Sequence, residues 1–175
     1  LPIVLLEHSP PLSKLIAIEP NPRPCGVLKH NLDGLHIPNN VMTAGVASKS
    51  GKGQLQTPDY DDNERAFFVT PGIGELDLVT LDDLLGQDSL SPLAVKIDVE
   101  GLELDVLRGG EQSIRNAPEF VVQFEAHPTV AKRTGCDPIE CLEWLIAAGG
   151  KSWTVCEEGA DRPFVGLRPG APFFD

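Results

Sequence analysis

The stretch Leu93-Ala94-Val95-Lys96-Ile97-Asp98-Val99-Glu100-Gly101 decides the fold of this chain. Its first five residues form an apolar, β-branched run that is typical of a buried strand. The run ends at two carboxylates and a glycine, and Leu102–Leu107 then has the composition of a helix. Because ligands of parallel α/β sheets bind beyond the carboxyl ends of the strands, Asp98 and Glu100 occupy a position typical of a site. This stretch alone leaves open that Asp98 only caps the following helix.

A second apolar strand, Leu15–Ile18, also ends at an acid, Glu19, in a proline-rich turn. Pro20 prevents continued strand pairing. In nucleotide-binding α/β folds an acid at this place accepts hydrogen bonds from ribose hydroxyls. The position after a strand favours that role for Glu19, and the alternative is an acid that caps the next helix.

A third strand, Glu119–Phe124, is followed by Glu125 and His127. If this strand neighbours the central one, we expect their polar residues to converge on one cleft. Such a group can orient a hydroxyl, bind a divalent cation or act as a general base. Taken alone, His127 is more simply a loop histidine before Pro128.

Strand and helix patterns alternate along most of the chain, which predicts one α/β domain over residues 1–175, with a mostly parallel sheet and helices on both faces. The predicted helices are Arg23–Leu32, a short one capped by Thr80 with Asp83, one after the central strand that bends or breaks at Gly109-Gly110, and one from Asp137 to Gly149. The other predicted strands are Val41–Val46, Ala66–Val69, Leu76–Val79, and a final antiparallel pair, Lys151–Cys156 and Pro163–Leu167.

Several details follow from periodicity. Val27, Leu28 and Leu32 should face the interior, as should Ile139, Leu142 and either Leu145 or Ile146. The alternation in Leu76–Val79 indicates an exposed or edge strand. The segment Ala47–Gly53 is predicted as a turn that leads into a hairpin-like excursion.

Composition restricts the function. The 175 residues carry a net charge of −12, whereas a nucleic-acid-binding protein normally presents a basic face. No apolar run approaches the roughly 20 residues of a membrane span, and no C-x-x-C pair indicates a zinc site. The four cysteines therefore read as reduced thiols of a cytoplasmic protein. Neither a glycine-rich dinucleotide or phosphate loop nor a nucleophile elbow is present.

Several motifs occur in a familiar order and spacing. They are Ile-Ala-Ile-Glu-Pro-Asn-Pro at 16–22, Thr-Leu-Asp-Asp-Leu-Leu at 80–85, Lys-Ile-Asp-Val-Glu-Gly-Leu-Glu at 96–103 and Phe-Glu-Ala-His at 124–127. Over about Leu15 to Cys156 the chain resembles the FkbM family of S-adenosylmethionine-dependent methyltransferases. The block at 96–101, with Thr-Leu-Asp-Asp upstream, carries most of this resemblance.

The resemblance implies a Rossmann-like class I methyltransferase sheet in the order 3-2-1-4-5-7-6, with the seventh strand antiparallel. It implies that Glu19, together with Asn21, binds the ribose side of S-adenosylmethionine. The backbone at Val46 and Ala47 would lie by the adenine, and Asp98 would line the cleft where the methyl group is transferred.

The reaction implied is O-methylation of a hydroxyl on a small-molecule acceptor, a sugar or a natural product. Asp98 or His127 is the candidate base, and histidine matches neutral pH better. Glu100 and Glu125 are assigned to the acceptor. A metal held by Asp98, Glu100 and Glu125 is a lower-ranked alternative.

The chain departs from the family at its start. Members carry a first strand that ends in a D-x-G-A-N-x-G-like loop around the methionine part of the cofactor, and nothing before Leu15 matches it. We therefore expect a chain truncated at its N-terminus, without its first strand, and weak or absent cofactor binding. The alternatives are a non-catalytic remnant or partner-binding module of the same fold, and an NAD-type dehydrogenase, against which the missing glycine fingerprint counts.

Overall fold

A computed structural model describes residues 12–56, 68–86, 92–125, 134–151, 153–155 and 167–169. The chain forms two compact units. The first comprises Leu1–Val46 and Ser50–Val79, and the second comprises Ala47–Lys49 and Thr80–Asp175. The architecture is mixed α/β, as the alternation of patterns predicts.

The first unit opens with a strand, a helix and a parallel strand. Strand β1 (Leu15–Ile18) pairs in parallel with β2 (Asn39–Met42), and helix α1 (Pro22–Asp33) connects them. The side chain of Asn21 caps α1 by accepting a hydrogen bond from the backbone N–H of Arg23, at 3.1 Å. A proline at the first helical position suits this start because its missing N–H has no helical partner there.

Helix α1 confirms the predicted segment but not all of its buried face. Cys25 and Leu32 are buried, whereas Val27 is 61% exposed, so its predicted inward position is wrong. Cys25 and Leu32 lie seven residues apart and share a face, while Val27, two residues beyond Cys25, falls on the other side of the helix.

A four-stranded sheet completes the first unit. Its strands are β3 (Gly45–Val46), β4 (Gly51–Gln56), β5 (Phe68–Pro71) and β6 (Leu76–Val79), in the order β3-β6-β4-β5. Strand β6 is parallel to β3 and antiparallel to β4, and β4 is antiparallel to β5. The predicted strand Val41–Val46 is therefore two strands in different sheets, and the predicted turn Ala47–Gly53 ends earlier because β4 begins at Gly51.

The prediction that Leu76–Val79 is an exposed or edge strand is wrong, since β6 lies between two partners. Its alternation reports one buried face, on which Leu78 is almost fully buried. Leu78 packs over glycines of both neighbouring strands. A Cβ on Gly45 would come within 2.8 Å of the Leu78 side chain, and one on Gly53 within 3.1 Å.

The second unit holds the remaining elements. They are α2 (Leu81–Leu85), β7 (Leu93–Ile97), α3 (Glu103–Gly109), α4 (Glu111–Asn116), β8 (Phe120–Phe124), α5 (Pro138–Ala147), β9 (Trp153–Val155) and β10 (Leu167–Pro169). Strands β7 and β8 are parallel, and β9 and β10 form the predicted antiparallel final pair. Part of the predicted segment Pro163–Leu167 lies outside the described residues. Among the described helices, none combines the length and apolar character required to cross a membrane.

Helices α2, α3 and α4 are fixed by short polar contacts and by two glycines. Thr80 caps α2 by accepting a hydrogen bond from Asp83 N at 3.0 Å. The helix after β7 is broken at Gly109-Gly110, as predicted. A Cβ on Gly109 would overlap the carbonyl oxygen of Ala47, and one on Gly110 would lie 2.6 Å from the Leu81 side chain.

Helix α4 begins without a capping side chain of its own, and Asp82 supplies one from α2. The Asp82 carboxylate accepts hydrogen bonds from Ser113 N at 2.8 Å and from Gln112 N at 3.2 Å. These are backbone donors of the first helical turn that have no partner inside the helix. The Thr-Leu-Asp-Asp motif thus serves two helices.

Helix α5 has the predicted start, with the Asp137 side chain accepting from Ile139 N at 2.9 Å. Its buried face is formed by Pro138, Cys141 and Leu145, while Ile139 and Ile146 are exposed. The inward position predicted for Ile139 is therefore wrong. Pro138, Cys141 and Leu145 follow the i, i+3, i+7 spacing of one helical face, and its middle position is a cysteine, which is easily overlooked as an apolar anchor.

Candidate functional site

The carboxyl ends of β7 and β8 lie level with each other. Their parallel register pairs Leu93 with Phe120 and Ile97 with Phe124. Asp98 and Glu125 each come directly after the last paired residue, so they leave the sheet side by side. Because neighbouring strands lie roughly 4.8 Å apart, the two carboxylates can reach one ligand. This confirms the predicted adjacency of the two strands, while His127 lies outside the described residues.

Asp98 is a half-exposed carboxylate with a cation beside it. Its Oδ2 lies 2.6 Å from Nζ of Lys96, which is two residues earlier, in β7. Both side chains are more than two-fifths exposed, and exposed pairs of this kind contribute only about 0–1 kcal/mol to stability. The pair therefore orients Asp98 more than it stabilises the fold. Among the described residues, none donates to its other oxygen, Oδ1, which is available to a ligand.

The chain bends after Asp98. Glu100 has φ +53°, and Gly101 has φ +111°. Glu100 is the single non-glycine residue with positive φ in the described segments. Such conformations are disfavoured for L-residues and persist where the surrounding structure holds them, often at ligand sites. This turn, residues 98–101, fixes where the Asp98 and Glu100 carboxylates leave the backbone.

A buried carboxylate, Glu103, lies behind the turn. Its Oε1 accepts a hydrogen bond from Gly101 N at 3.1 Å, and its Oε2 lies 4.0 Å from Sγ of Cys136. Sequence reasoning missed this residue, because an acid in the first turn of a helix ordinarily reads as an exposed, dipole-favoured side chain. The available signal was its spacing, because Glu103 lies three and four residues before the buried Val106 and Leu107 and so shares their face of the helix.

Two thiols next to this carboxylate are held in the protonated form. Burial raises the pKa of the Cys136 thiol, and the negative charges of Glu103 and Glu140 add to that effect. Burial also raises the pKa of Cys141, to about 12. Because the thiolate is the reactive form, these cysteines are poor nucleophiles near neutral pH. Together with Cys25 they are free cysteines.

Glu19 lies at the end of β1 in the first unit. Its N–H donates to Met42 O at 3.1 Å and extends the pairing of β1 with β2. Its Oε1 accepts a hydrogen bond from Asn21 N at 2.8 Å and so holds the turn before α1, whereas the cap of that helix is Asn21 and not Glu19, as the alternative had it. Among the described residues, none donates to Oε2. One carboxylate oxygen thus holds the turn, and the other is free to accept from a ligand.

The remaining residues predicted for the cofactor have structural contacts. The side-chain oxygen of Asn21 is engaged in capping α1. Val46 is half-buried in β3 opposite Val79. Ala47 is buried, and its carbonyl oxygen faces Gly109. Their roles toward a cofactor stay predictions.

The described segments contain no group of three or more His, Cys, Asp or Glu side chains arranged to bind a metal ion. The lower-ranked metal hypothesis for Asp98, Glu100 and Glu125 therefore has no geometric support in this part of the chain.

Comparison with known proteins now identifies the family. The model of the methyltransferase FkbM domain matches residues 5–149. This chain belongs to the FkbM methyltransferase family. The match includes β1, β7 and the turn after β7, so the resemblance carried by the motifs is confirmed.

A curated relative of this FkbM domain is the hexuronic acid methyltransferase AglP of Haloferax volcanii. The two chains are 27% identical over 156 residues, which cover 87% of this chain and 61% of the relative. The chain therefore spans about three-fifths of the length of that relative. No solved structure shows a significant match.

Proposed function

We propose that this FkbM domain belongs to an S-adenosylmethionine-dependent O-methyltransferase that acts on a hydroxyl of a sugar or a similar small molecule, on a Rossmann-like class I sheet. One observation carries the proposal: the register of β7 and β8 sets Asp98 level with Glu125, directly before the turn at Glu100. Carboxylate oxygens at the carboxyl ends of parallel strands can accept hydrogen bonds from the hydroxyls of a polyhydroxylated ligand.

The residues present fit the cofactor at one place that the structure describes. Asn21 N fixes one oxygen of Glu19, which leaves the other available for a hydrogen bond from a ribose hydroxyl. S-adenosylmethionine, when bound, supplies an electrophilic methyl group on its sulfonium. The protein then has to hold donor and acceptor in line, and such alignment can contribute several kcal/mol.

The acceptor hydroxyl needs a hydrogen-bond acceptor and a base. Asp98 Oδ1 accepts the hydroxyl hydrogen bond while Lys96 holds Oδ2. Glu125, whose side chain is exposed at the neighbouring strand end, and Glu100 bind other hydroxyls of the acceptor. As the methyl–oxygen bond forms, the hydroxyl proton leaves along its hydrogen bond to Asp98 Oδ1 and passes to His127, two residues beyond Glu125, since an ordinary histidine pKa lies near neutrality.

A methyl-transfer assay tests the proposal, with a glucuronic acid-containing oligosaccharide and a neutral counterpart as acceptors and labelled S-adenosylmethionine as donor. Asp98→Asn is expected to lower turnover by roughly 10²–10⁴-fold. Asp77→Asn is the matched control, because Asp77 is also exposed and lies 2.6 Å from a lysine, Lys52. Its turnover should stay within about a factor of two. Equal effects of the two substitutions would contradict the role of Asp98.

Two further measurements separate the proposal from its alternative. Turnover of His127→Ala that matches the parent at every pH would remove this residue from the mechanism. Calorimetry with S-adenosylmethionine should detect binding by the 175-residue chain or by the full-length gene product. Absence of binding by both would favour a non-catalytic, partner-binding module of the same fold.

A further inference from the structure

We infer that Glu103 is a positioning residue: its buried carboxylate joins the turn at residues 98–101 to the segment 134–136 and thereby fixes the direction of the Asp98 and Glu100 carboxylates. The structural part of this inference stands on contacts within the second unit. Its consequence for turnover rests on the proposed function.

The burial of Glu103 needs an explanation. The residue is only 8% exposed, although it is an acid at the first position of a helix, where acids are usually exposed to solvent. A buried carboxylate is costly unless hydrogen bonds satisfy it. Glu103 has two such partners, Gly101 N at 3.1 Å and the Cys136 thiol at 4.0 Å. Each partner belongs to a different segment, so the carboxylate links the two.

The two segments also touch directly. A Cβ on Gly101 would overlap the methyl group of Thr134 and lie 2.8 Å from its hydroxyl. The hydroxyl of Thr134 in turn accepts a hydrogen bond from Cys136 N at 3.2 Å. Residues 134–136 therefore pack on the turn, and Glu103 contacts both the turn and this segment.

The turn needs this support because its backbone is unfavourable by itself. Glu100 has φ +53°, which is disfavoured for a residue with a Cβ, whereas glycine adopts the positive φ of Gly101 without this cost. A disfavoured conformation persists only when its surroundings over-determine it. Without the Glu103 carboxylate, the Gly101 N–H is buried with no acceptor, and the turn can relax toward ordinary φ values. Asp98 and Glu100 would then leave the backbone in other directions.

Three substitutions separate geometry from charge. Glu103→Ala removes both contacts. Glu103→Gln keeps the shape: its amide oxygen accepts from Gly101 N, and its amide nitrogen can donate to the Cys136 sulfur. Glu103→Asp keeps the charge, but its shorter side chain moves the carboxylate away from Gly101 N. The aspartate variant replaces the alanine variant if the alanine variant does not fold. Glu143→Ala, an exposed glutamate of α5, is the matched control.

The first measurement does not depend on activity. Hydrogen exchange of the peptide that contains Gly101 should be tenfold or more faster in Glu103→Ala, or in Glu103→Asp, than in the control. It should be close to the parent rate in Glu103→Gln. Exchange that is unchanged in the alanine and aspartate variants, or as fast in the glutamine variant as in alanine, would overturn the inference.

A second measurement uses Cys136 as a reporter. Cys141, Glu140, Glu103 and the backbone of Leu104 all influence its thiol. Because the Glu103 charge raises the pKa of Cys136, alkylation of this residue in Glu103→Gln should reach half-maximal rate at a lower pH, as resolved by peptide mass spectrometry. An unchanged midpoint would overturn the proposed contact.

The third measurement is methyl transfer. Glu103→Ala should lower kcat by tenfold or more with little change in the KM for S-adenosylmethionine, and Glu103→Gln should restore it. If the parent protein shows no methyl transfer, the proposed function is refuted. The hydrogen-exchange result at Gly101 then still decides whether Glu103 holds the turn. A parent protein with transfer, but with equal kcat in all variants, would overturn the positioning role.

Discussion

Replacing Gly101 with alanine tests how tightly the turn after β7 is held. Two costs are expected. Gly101 has φ +111°, a conformation that is unfavourable for a residue with a Cβ, by about 1–2 kcal/mol. The new methyl group would also overlap the Thr134 side chain, which is short and β-branched and has few other χ1 rotamers that would relieve the overlap. Overpacking of this kind typically costs about 1–3 kcal/mol. The sum predicts a loss of about 2–5 kcal/mol in the free energy of unfolding.

Gly149→Ala separates the two costs. Gly149 has φ +97°, close to that of Gly101, but a Cβ there meets nothing within 4 Å. It should therefore show only the backbone cost. The double variant Gly101→Ala with Thr134→Gly should recover the steric part and leave the backbone part, so that the two substitutions are strongly non-additive.

Urea unfolding followed by circular dichroism, fitted with a common m-value, gives the free energies of unfolding of the parent, the three single variants and the double variant. Because the turn contains the proposed site residues Asp98 and Glu100, methyl transfer should fall in Gly101→Ala and not in Gly149→Ala. If both alanine variants lose the same stability, or if Thr134→Gly restores nothing, the close packing of residues 134–136 on the turn is refuted.

Two other predictions concern the second unit. Asp82→Ala should destabilise the protein by about 1–2 kcal/mol, as the loss of a helix cap does, and should speed hydrogen exchange at Ser113, whereas Asp77→Ala should do neither; equal behaviour would refute the cap. Stability should also decrease as the pH rises from about 8.5, where an unfolded thiol ionises, because Cys141 keeps its proton in the folded state up to a pKa of about 12. Unfolding midpoints between pH 8 and 11 should depend less on pH in Cys141→Ala, and an equal slope in parent and variant would refute the raised pKa.

Local signals in the sequence predict much of this fold. Leu15–Ile18 and Leu93–Ile97 are strands as predicted, because short β-branched runs bounded by proline, glycine or acids have few alternative structures. The prediction that they are buried is wrong, since the residues of β1 are half-buried and Ala94 and Lys96 of β7 are exposed. The starts at Thr80 and Asp137 are also correct, since a cap and its partner lie within three residues of each other. These features depend on neighbours along the chain.

Features that depend on distant residues were harder to predict. The interior place of β6 depends on glycines of two other strands, at positions 45 and 53, that make room for Leu78. The exposure of Val27 depends on which face of α1 is covered. A hydrophobicity pattern alone shows that a face is buried, but it does not name the surface that covers it.

The candidate site also has a part that the sequence predicts and a part that depends on distant residues. An acid after each strand can be read from the sequence, and the register of β7 with β8 confirms that Asp98 and Glu125 are neighbours. The role of Glu103 could not be read, because its partners, Gly101 and Cys136, become neighbours only when α3 and the segment before α5 fold together.

The cap that Asp82 provides for α4 links Asp82 to Ser113, which lies 31 residues further along the chain. Helix α4 has only six residues, too few to be helical in isolation, so it depends on an acid that precedes β7 in the chain. A chimera that imports residues 92–125 from a distant homologue would separate the transplanted helix from the residue at position 82 with which it evolved. Exchange of segments within this family should therefore succeed when the crossover lies before Thr80 and fail when it lies between α2 and β7.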